Sequence, residues 1–146
     1  MNWIEELIIR EKTQDILFPF LQKYGFGGLE KALKEYDLAQ QLYICKTKLS
    51  THRLRIDDIY YLDIRGHNIR IHTADQVYVK YGTLSDELKT LSSYGFLRCS
   101  RNCAVAVNKI KTIQQSQIVL SNNQQLYMSQ KYSWQILSWM MLASKK

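Results

Sequence analysis

The hydrophobic period of the chain changes once, near residue 41, and this limits the fold more than any other feature of its 146 residues. Before that point apolar residues recur at helical spacing. Ile4, Leu7 and Ile8 share one face, and Ile16, Leu17, Phe20, Leu21 and Tyr24 continue the pattern. Pro19 predicts a kink or break, and Tyr24-Gly25-Phe26-Gly27-Gly28 predicts a turn. Leu29, Ala32, Leu33 and Tyr36 then fall at i, i+3, i+4 and i+7, with Glu30 and Lys34 four apart on the outer face. Residues 1–40 therefore read as two or three short helices.

After residue 41 the chain breaks into short runs rich in β-branched and aromatic residues. The first five are 42–47, 54–56, 59–63, 69–73 and 76–81, separated by polar breaks such as Ser50-Thr51, Arg65-Gly66 and Ala74-Asp75. One helix interrupts them: Thr83 is its N-cap, Asp86 stands three residues on, and Leu84, Leu88 and Leu91 line one side. Strands resume at 96–99, 104–107, 110–113, 118–120 and 126–128, the last two joined by an Asn122-Asn123 turn signal. Ser129 is placed to cap a terminal segment through Trp134, Leu137 and Met141. The expected fold is mainly β with short helices, α+β in class. A helical extension (1–40) precedes a β domain (41–146).

Charge divides at the same place. Residues 1–40 carry five Lys/Arg and seven Asp/Glu, a net of −2; residues 41–146 carry fifteen and six, a net of +9. A basic domain beside a mildly acidic one suggests a polyanion partner, although a solvated basic surface has the same composition. The first residues lack the basic and then apolar regions of a signal peptide, and no apolar run approaches the ~20 residues that span a bilayer. With Cys45, Cys99 and Cys103 an odd set, a reducing cytoplasm is expected.

Ordered blocks then resemble a known family. Asp57-Asp58-Ile59-Tyr60-Tyr61-Leu62-Asp63, Gly66-His67-Asn68-Ile69-Arg70-Ile71-His72-Thr73, Gly82-Thr83-Leu84-Ser85, Phe96-Leu97-Arg98-Cys99-Ser100-Arg101-Asn102, Ile110-Lys111-Thr112-Ile113 and Tyr127-Met128-Ser129 follow one another as in the LytTR DNA-binding domains of AlgR/AgrA/LytR-type bacterial response regulators. Each block is weak alone; the series is specific. The resemblance implies an elongated antiparallel β domain whose loops, not a recognition helix, enter successive major grooves of double-stranded DNA. It also implies a transcription regulator acting at repeated promoter sites as a homodimer.

Base readout needs hydrogen-bonding forks at loop tips, with Lys, Arg and small polar donors around them to hold phosphates. Three clusters meet that demand. Arg65-Gly66-His67-Asn68 opens the strand that carries Arg70, and the resemblance makes His67 a base-contacting position; otherwise His67 merely ends a strand. In Ser100-Arg101-Asn102 the resemblance puts Arg101 on the base-reading position, against an ordinary exposed arginine. Arg98, alternating with Phe96, suits either a carboxylate pairing or a phosphate contact. In Ser129-Gln130-Lys131-Tyr132, Lys131 stands where the family commonly has Arg; a point charge suits a phosphate better than a base edge. Ser100 replaces a usual His, and Cys103-Ala104-Val105-Ala106 stands where the family has Y-[IV]-V-N, so Ala106 lacks the amide.

Other chemistry is less well supported. His67 and His72 are five apart, so on one strand they face opposite sides and do not converge on a metal. No Gly-rich phosphate loop, nucleophile elbow or carboxylate pair stands out, so no enzyme activity and no cofactor or metal is expected. Cys99 reads as core, with redox sensing through Cys99 and Cys103 the alternative; a further alternative is a degenerate domain of this type that binds protein instead of DNA. Forty residues are too few for a phosphoacceptor receiver. The helical extension is also too small for its own core. It is expected to dock on the β domain, pair with a second copy or meet a regulatory protein.

Overall fold

The computed structural model describes residues 11–144, so the expected face of Ile4, Leu7 and Ile8 lies outside the described residues. The chain divides between residues 39 and 40 into two compact units. The first contains α1 (Glu11–Ala39), which is interrupted at Gly25 (φ 70°, ψ −173°), not at Pro19, which sits within the helix. A helix tolerates a proline where the carbonyl that loses its partner is solvated, and Asp15, four residues before Pro19, is exposed. Gly25 has no Cβ to oppose a positive φ, and so the break falls inside the expected glycine turn. The described part of this segment has two helical stretches. The Glu30–Lys34 pair forms at 3.1 Å on the open surface, where such a pair adds a few tenths of a kcal/mol at most. Ile16, Phe18, Tyr24, Phe26, Leu33 and Tyr36 are all exposed.

Among its described residues the second unit contains ten strands and two α-helices, with three short 3-10 turns between them. Its order is β1 (Leu42–Lys46), β2 (Thr51–Arg55), β3 (Ile59–Arg65), β4 (Asn68–Thr73), β5 (Val77–Tyr81), α2 (Leu84–Leu91), β6 (Phe96–Ser100), β7 (Cys103–Ala106), β8 (Ile110–Gln114), β9 (Gln117–Leu120), β10 (Gln125–Tyr127) and α3 (Gln130–Ser144). Every expected strand and both expected helices of this region are present, with ends shifted by a few residues. The largest shift is at β2, which begins at Thr51. Lys46 pairs with Thr51, so the polar Thr51–Arg53 stretch continues a hairpin that an apolar pattern begins only at Leu54. As expected, Thr83 caps α2, its Oγ1 accepting from the Asp86 N–H at 3.2 Å.

All strand pairs are antiparallel, in three sheets: β1-β2, β5-β4-β3-β7-β6, and β10-β9-β8. The five-stranded sheet is the central layer. Leu62, Ile69, Ile71, Phe96, Ala104 and Ala106 point from it to one side, meeting Leu84 and Leu91 of α2 and Tyr43, Cys45 and Leu54 of the first hairpin. Tyr61, Cys99 and Val105 point to the other side, meeting Ile118 and Leu120 of β9, Met128, and Ile136 of α3. Successive strand residues face opposite sides, so the alternation of β6 and β7 feeds both cores at once. No helix among the described residues is long and apolar enough to cross a membrane.

Candidate nucleic-acid interface

The first predicted cluster is a tight hairpin. Arg65 pairs with Asn68 across the two-residue loop Gly66-His67, with Gly66 at φ 62°. Glycine takes that angle without the cost a Cβ brings. Arg65, His67 and Asn68 are exposed. The His67 carbonyl accepts from Gly82 N–H at 2.8 Å, and the His67 ring lies 5.3 Å from that of Tyr81. The loop is therefore held at the junction of β5 and α2.

Arg70 faces inward along the sheet surface. Its Nε donates to Asp63 Oδ1 at 3.0 Å and its Nη2 donates to Oδ2, a bidentate fork across the β3–β4 pair. His72 Nε2 meets Asp63 Oδ1 at 2.9 Å, and the His72 ring stacks on Tyr61 at 4.0 Å between centroids. Burial opposes ionisation of Asp63, but the hydrogen bonds and charges of Arg70 and His72 outweigh it and hold the carboxyl below its ordinary range. His67 and His72 thus occupy different surroundings. Among the described residues no group of three or more His, Cys, Asp or Glu is placed to hold a metal.

The second cluster is the turn between β6 and β7. Ser100 pairs with Cys103, so Arg101 and Asn102 form the exposed tip, immediately after a bulge between Arg98 and Ser100. A bulge re-aims the residues that follow it. The Asn102 carbonyl accepts from Ile64 N–H at 3.0 Å, tying the turn to the end of β3. Arg98, half-buried, donates from Nη1 to the Arg101 carbonyl at 2.7 Å and from Nη2 to Ser85 Oγ at 2.8 Å. Neither a carboxylate nor open solvent takes those two donors. Cys99 is fully buried, and its Sγ points to the Cys103 carbonyl at 3.6 Å. The neighbouring Cys99 thiol and burial together hold the proton on Cys103.

The third cluster is the start of α3. Ser129 N–H donates to the Cys99 carbonyl at 2.8 Å, which seats the helix start beside the second cluster. Gln130 and Lys131 are exposed, and Lys131 Nζ lies 5.4 Å from the Tyr132 ring centroid.

These bonds assemble one surface from distant parts of the chain. One recess is lined by Ser100, Arg101, Asn102, Ser129, Lys131 and Tyr132, together with Tyr127. A second is lined by Arg65, Arg70, Ser100, Asn102, Gln125 and again Tyr127. The two share Ser100, Asn102 and Tyr127, so three cations, Arg65, Arg101 and Lys131, border adjoining recesses together with the Arg70–Asp63 ion pair. His67, Asn68, Arg98 and Gln130 line neither. Tyr127, 65% exposed, was missed by the sequence reading. Its signal was available, because Leu126 and Met128 face the core and the residue between them faces out. Gln114, Gln117 and Gln125 also escaped notice; they line a further recess that Tyr127 borders, with Gln117 Nε2 donating to Gln125 Oε1 at 2.6 Å. Amides of this kind suit adenine edges.

A family model described as the LytTr DNA-binding domain matches residues 49–141. A search of curated proteins found no match. Among solved structures the chain is similar to the LytTr DNA-binding domain of a protein described as a methyl-accepting/DNA response regulator from Bacillus cereus. That match has 20% identity and a TM-score of 0.60, and covers 69% of this chain and 97% of the other.

Proposed function

The chain belongs to the LytTr DNA-binding domain family, and from that premise we propose that it is a sequence-specific regulator of transcription that reads double-stranded promoter DNA through loops in successive major grooves. The observation that carries this is the joining of the Arg101 turn to Lys131 on one recess, with Arg65 and Arg70 on the next. Arg101 presents the planar fork that reads guanine, while Lys131 and Arg65 supply phosphate contacts. His67 and Asn68 are offered by a separate hairpin tip, which suits a neighbouring groove. Ser100, Asn102 and Gln130 fill the polar surroundings.

In this reading the protein works in the cytoplasm, without enzymatic activity, as a dimer on paired sites. The apolar residues exposed on α1 supply the second contact surface, for another copy or for a regulatory protein. Exposed apolar residues on a segment too short for its own core favour association.

The test is a gel shift of the full chain with promoter duplex against random duplex across a salt series. Neutralising ~5 phosphates gives a slope of log affinity on log salt near −4 to −5. Equal affinity for both duplexes at low salt sinks the reading in favour of a protein-interaction module. The same assay under peroxide, with wild type and the Cys99→Ser/Cys103→Ser variant, decides whether the paired thiols beside the turn make binding redox-responsive. A response in wild type alone supports that version; an identical response in both removes it.

A further inference from the structure

Arg98 is basic and stands two residues from the reading turn, yet it lines neither recess. Its side of the sheet explains why. Phe96 and Ala104, its neighbours along and across the strands, pack toward α2, whereas Cys99 and Val105 pack toward α3. The guanidinium therefore sits on the α2 side, and two of its donors are used within the fold. One holds the backbone carbonyl of Arg101, and the other holds Ser85 Oγ in the first turn of α2.

We propose that Arg98 is a positioning residue: it fixes the backbone of Arg101, and so sets where the Arg101 fork meets a base edge, without touching DNA itself. This rests on the reading that Arg101 contacts bases. A two-residue turn after a bulge has few other restraints on the Arg101 peptide. The Asn102 carbonyl is anchored to Ile64 on one side and the Cys99 carbonyl to Ser129 on the other. Between them, the Arg101 carbonyl is held by Arg98. The planar fork matters, because one end must reach the turn while the other reaches α2. A lysine donates from a single nitrogen on a flexible stem and lacks the fixed two-ended fork that meets both acceptors here. Ser85, neutral and part of α2, becomes the outer anchor of the reading turn.

The experiment uses the full-length chain and a duplex that the wild type selects from a randomised pool, with a random duplex of equal length as competitor. Arg98→Ala, Arg98→Lys and Ser85→Ala are measured across a salt series, each first confirmed folded by circular dichroism. Arg98→Ala is expected to lose about tenfold or more of the selected-over-random preference, on the scale one good base contact supplies, with an unchanged salt slope. Arg98→Lys should fail to restore the preference although it restores the charge. Ser85→Ala should shift the preference the same way by about two- to tenfold, the range of one hydrogen bond.

A salt slope reduced by ~0.9 with both duplexes weakened alike would mark Arg98 as a phosphate contact and overturn the proposal. An intact preference in Arg98→Ala would overturn it too. If Arg98→Ala does not fold, Arg98→Lys and Ser85→Ala decide the matter. Should the wild type select no duplex at all, the DNA-reading function fails, and the proposal falls with it. That outcome is distinct from discrimination by wild type and variant alike.

Discussion

Replacing Glu87 tests whether α2 is fixed to the β layers as firmly as the interface requires. Glu87 Oε1 lies 2.6 Å from Lys80 Nζ, and Oε2 accepts from Tyr43 OH at 2.5 Å. Lys80 also lies 5.3 Å from the Tyr43 ring centroid. The three residues join α2, β5 and the first hairpin. The side chains of Lys80 and Glu87 are only 19% and 12% exposed, and Tyr43 is nearly buried. Glu87→Ala leaves a mostly buried ammonium with only the Tyr43 hydroxyl, at 3.4 Å, to accept from it, and leaves the phenol without its acceptor. Breaking such a pair costs about 3–5 kcal/mol, and the residual exposure argues for the lower end. Glu87→Gln keeps an acceptor for Tyr43 and loses only the charge, so about 1–2 kcal/mol is expected from the gap between charged and neutral hydrogen bonds. At ~4 °C per kcal/mol for a domain of about 100 residues, Glu87→Ala should melt about 12 °C lower. Urea unfolding followed by circular dichroism gives both values. A Glu87→Ala change within about 0.5 kcal/mol of wild type, the range of an ordinary surface substitution, would refute the argument that the triad is desolvated. So would a Glu87→Gln loss as large as that of Glu87→Ala.

Further outcomes are expected for five variants. Arg101→Ala should relax sequence preference by about 1–3 kcal/mol at one base position, whereas Lys131→Ala should weaken all duplexes alike and lower the salt slope by ~1, both read by quantitative gel shift. Because Asp63 titrates below its ordinary value when folded, its ionised form adds stability that is full above the unfolded value of ~3.9 and is lost as pH falls through the folded value. Urea midpoints of Asp63→Asn between neutral pH and pH ~2 should show that part of the acid slope removed, starting from the unfolded value of ~3.9. Gly66→Ala meets no neighbour within 4 Å, so its cost is the positive φ alone, about 1–2 kcal/mol in the same unfolding assay. Lys131→Arg should leave stability within ~0.5 kcal/mol of wild type while changing DNA preference, because the side chain is exposed and only its donor geometry changes.

Local chemistry was legible in the sequence where it alone decides structure. Thr83, Asp86 and the Leu84–Leu88–Leu91 spacing set α2, and Asn122-Asn123 marked the turn before β10, where Asn123 takes φ 69°. The ordered family blocks carried the fold class. Of the two breaks that the N-terminal segment suggests, the glycine turn forms at Gly25 and the Pro19 kink does not, because only Gly25 takes a positive φ while the carbonyl opposite Pro19 belongs to an exposed residue. Site residues were legible by type but not by direction. Arg70 looks like a free cation in sequence and Arg98 like the partner of a carboxylate or a phosphate, yet Asp63 takes up the first and Ser85 and the Arg101 carbonyl take up the second, and those partners depend on strand register and a bulge. For Tyr127 the Leu126–Met128 alternation gives the outward direction, but that the side chain borders three recesses depends on tertiary packing that no local pattern encodes.

The three loops are each fixed through backbone atoms: Gly82 N–H to the His67 carbonyl, Ile64 N–H to the Asn102 carbonyl, and Ser129 N–H to the Cys99 carbonyl. Main-chain bonds do not depend on which side chain stands at a loop tip. A chain with Ser100 in place of a family His, or Lys131 in place of an Arg, therefore keeps the spacing of its loops while changing what they offer to DNA. The scaffold side chains have the opposite property. Asp63 and Glu87 each hold two partners at once, and losing either carboxylate strands more than one polar group. In the proposed reading, binding preference and stability are thus carried by different residues on the same unit. Arg98 is where they meet, because it extends one bond toward α2 and another toward the peptide that aims Arg101.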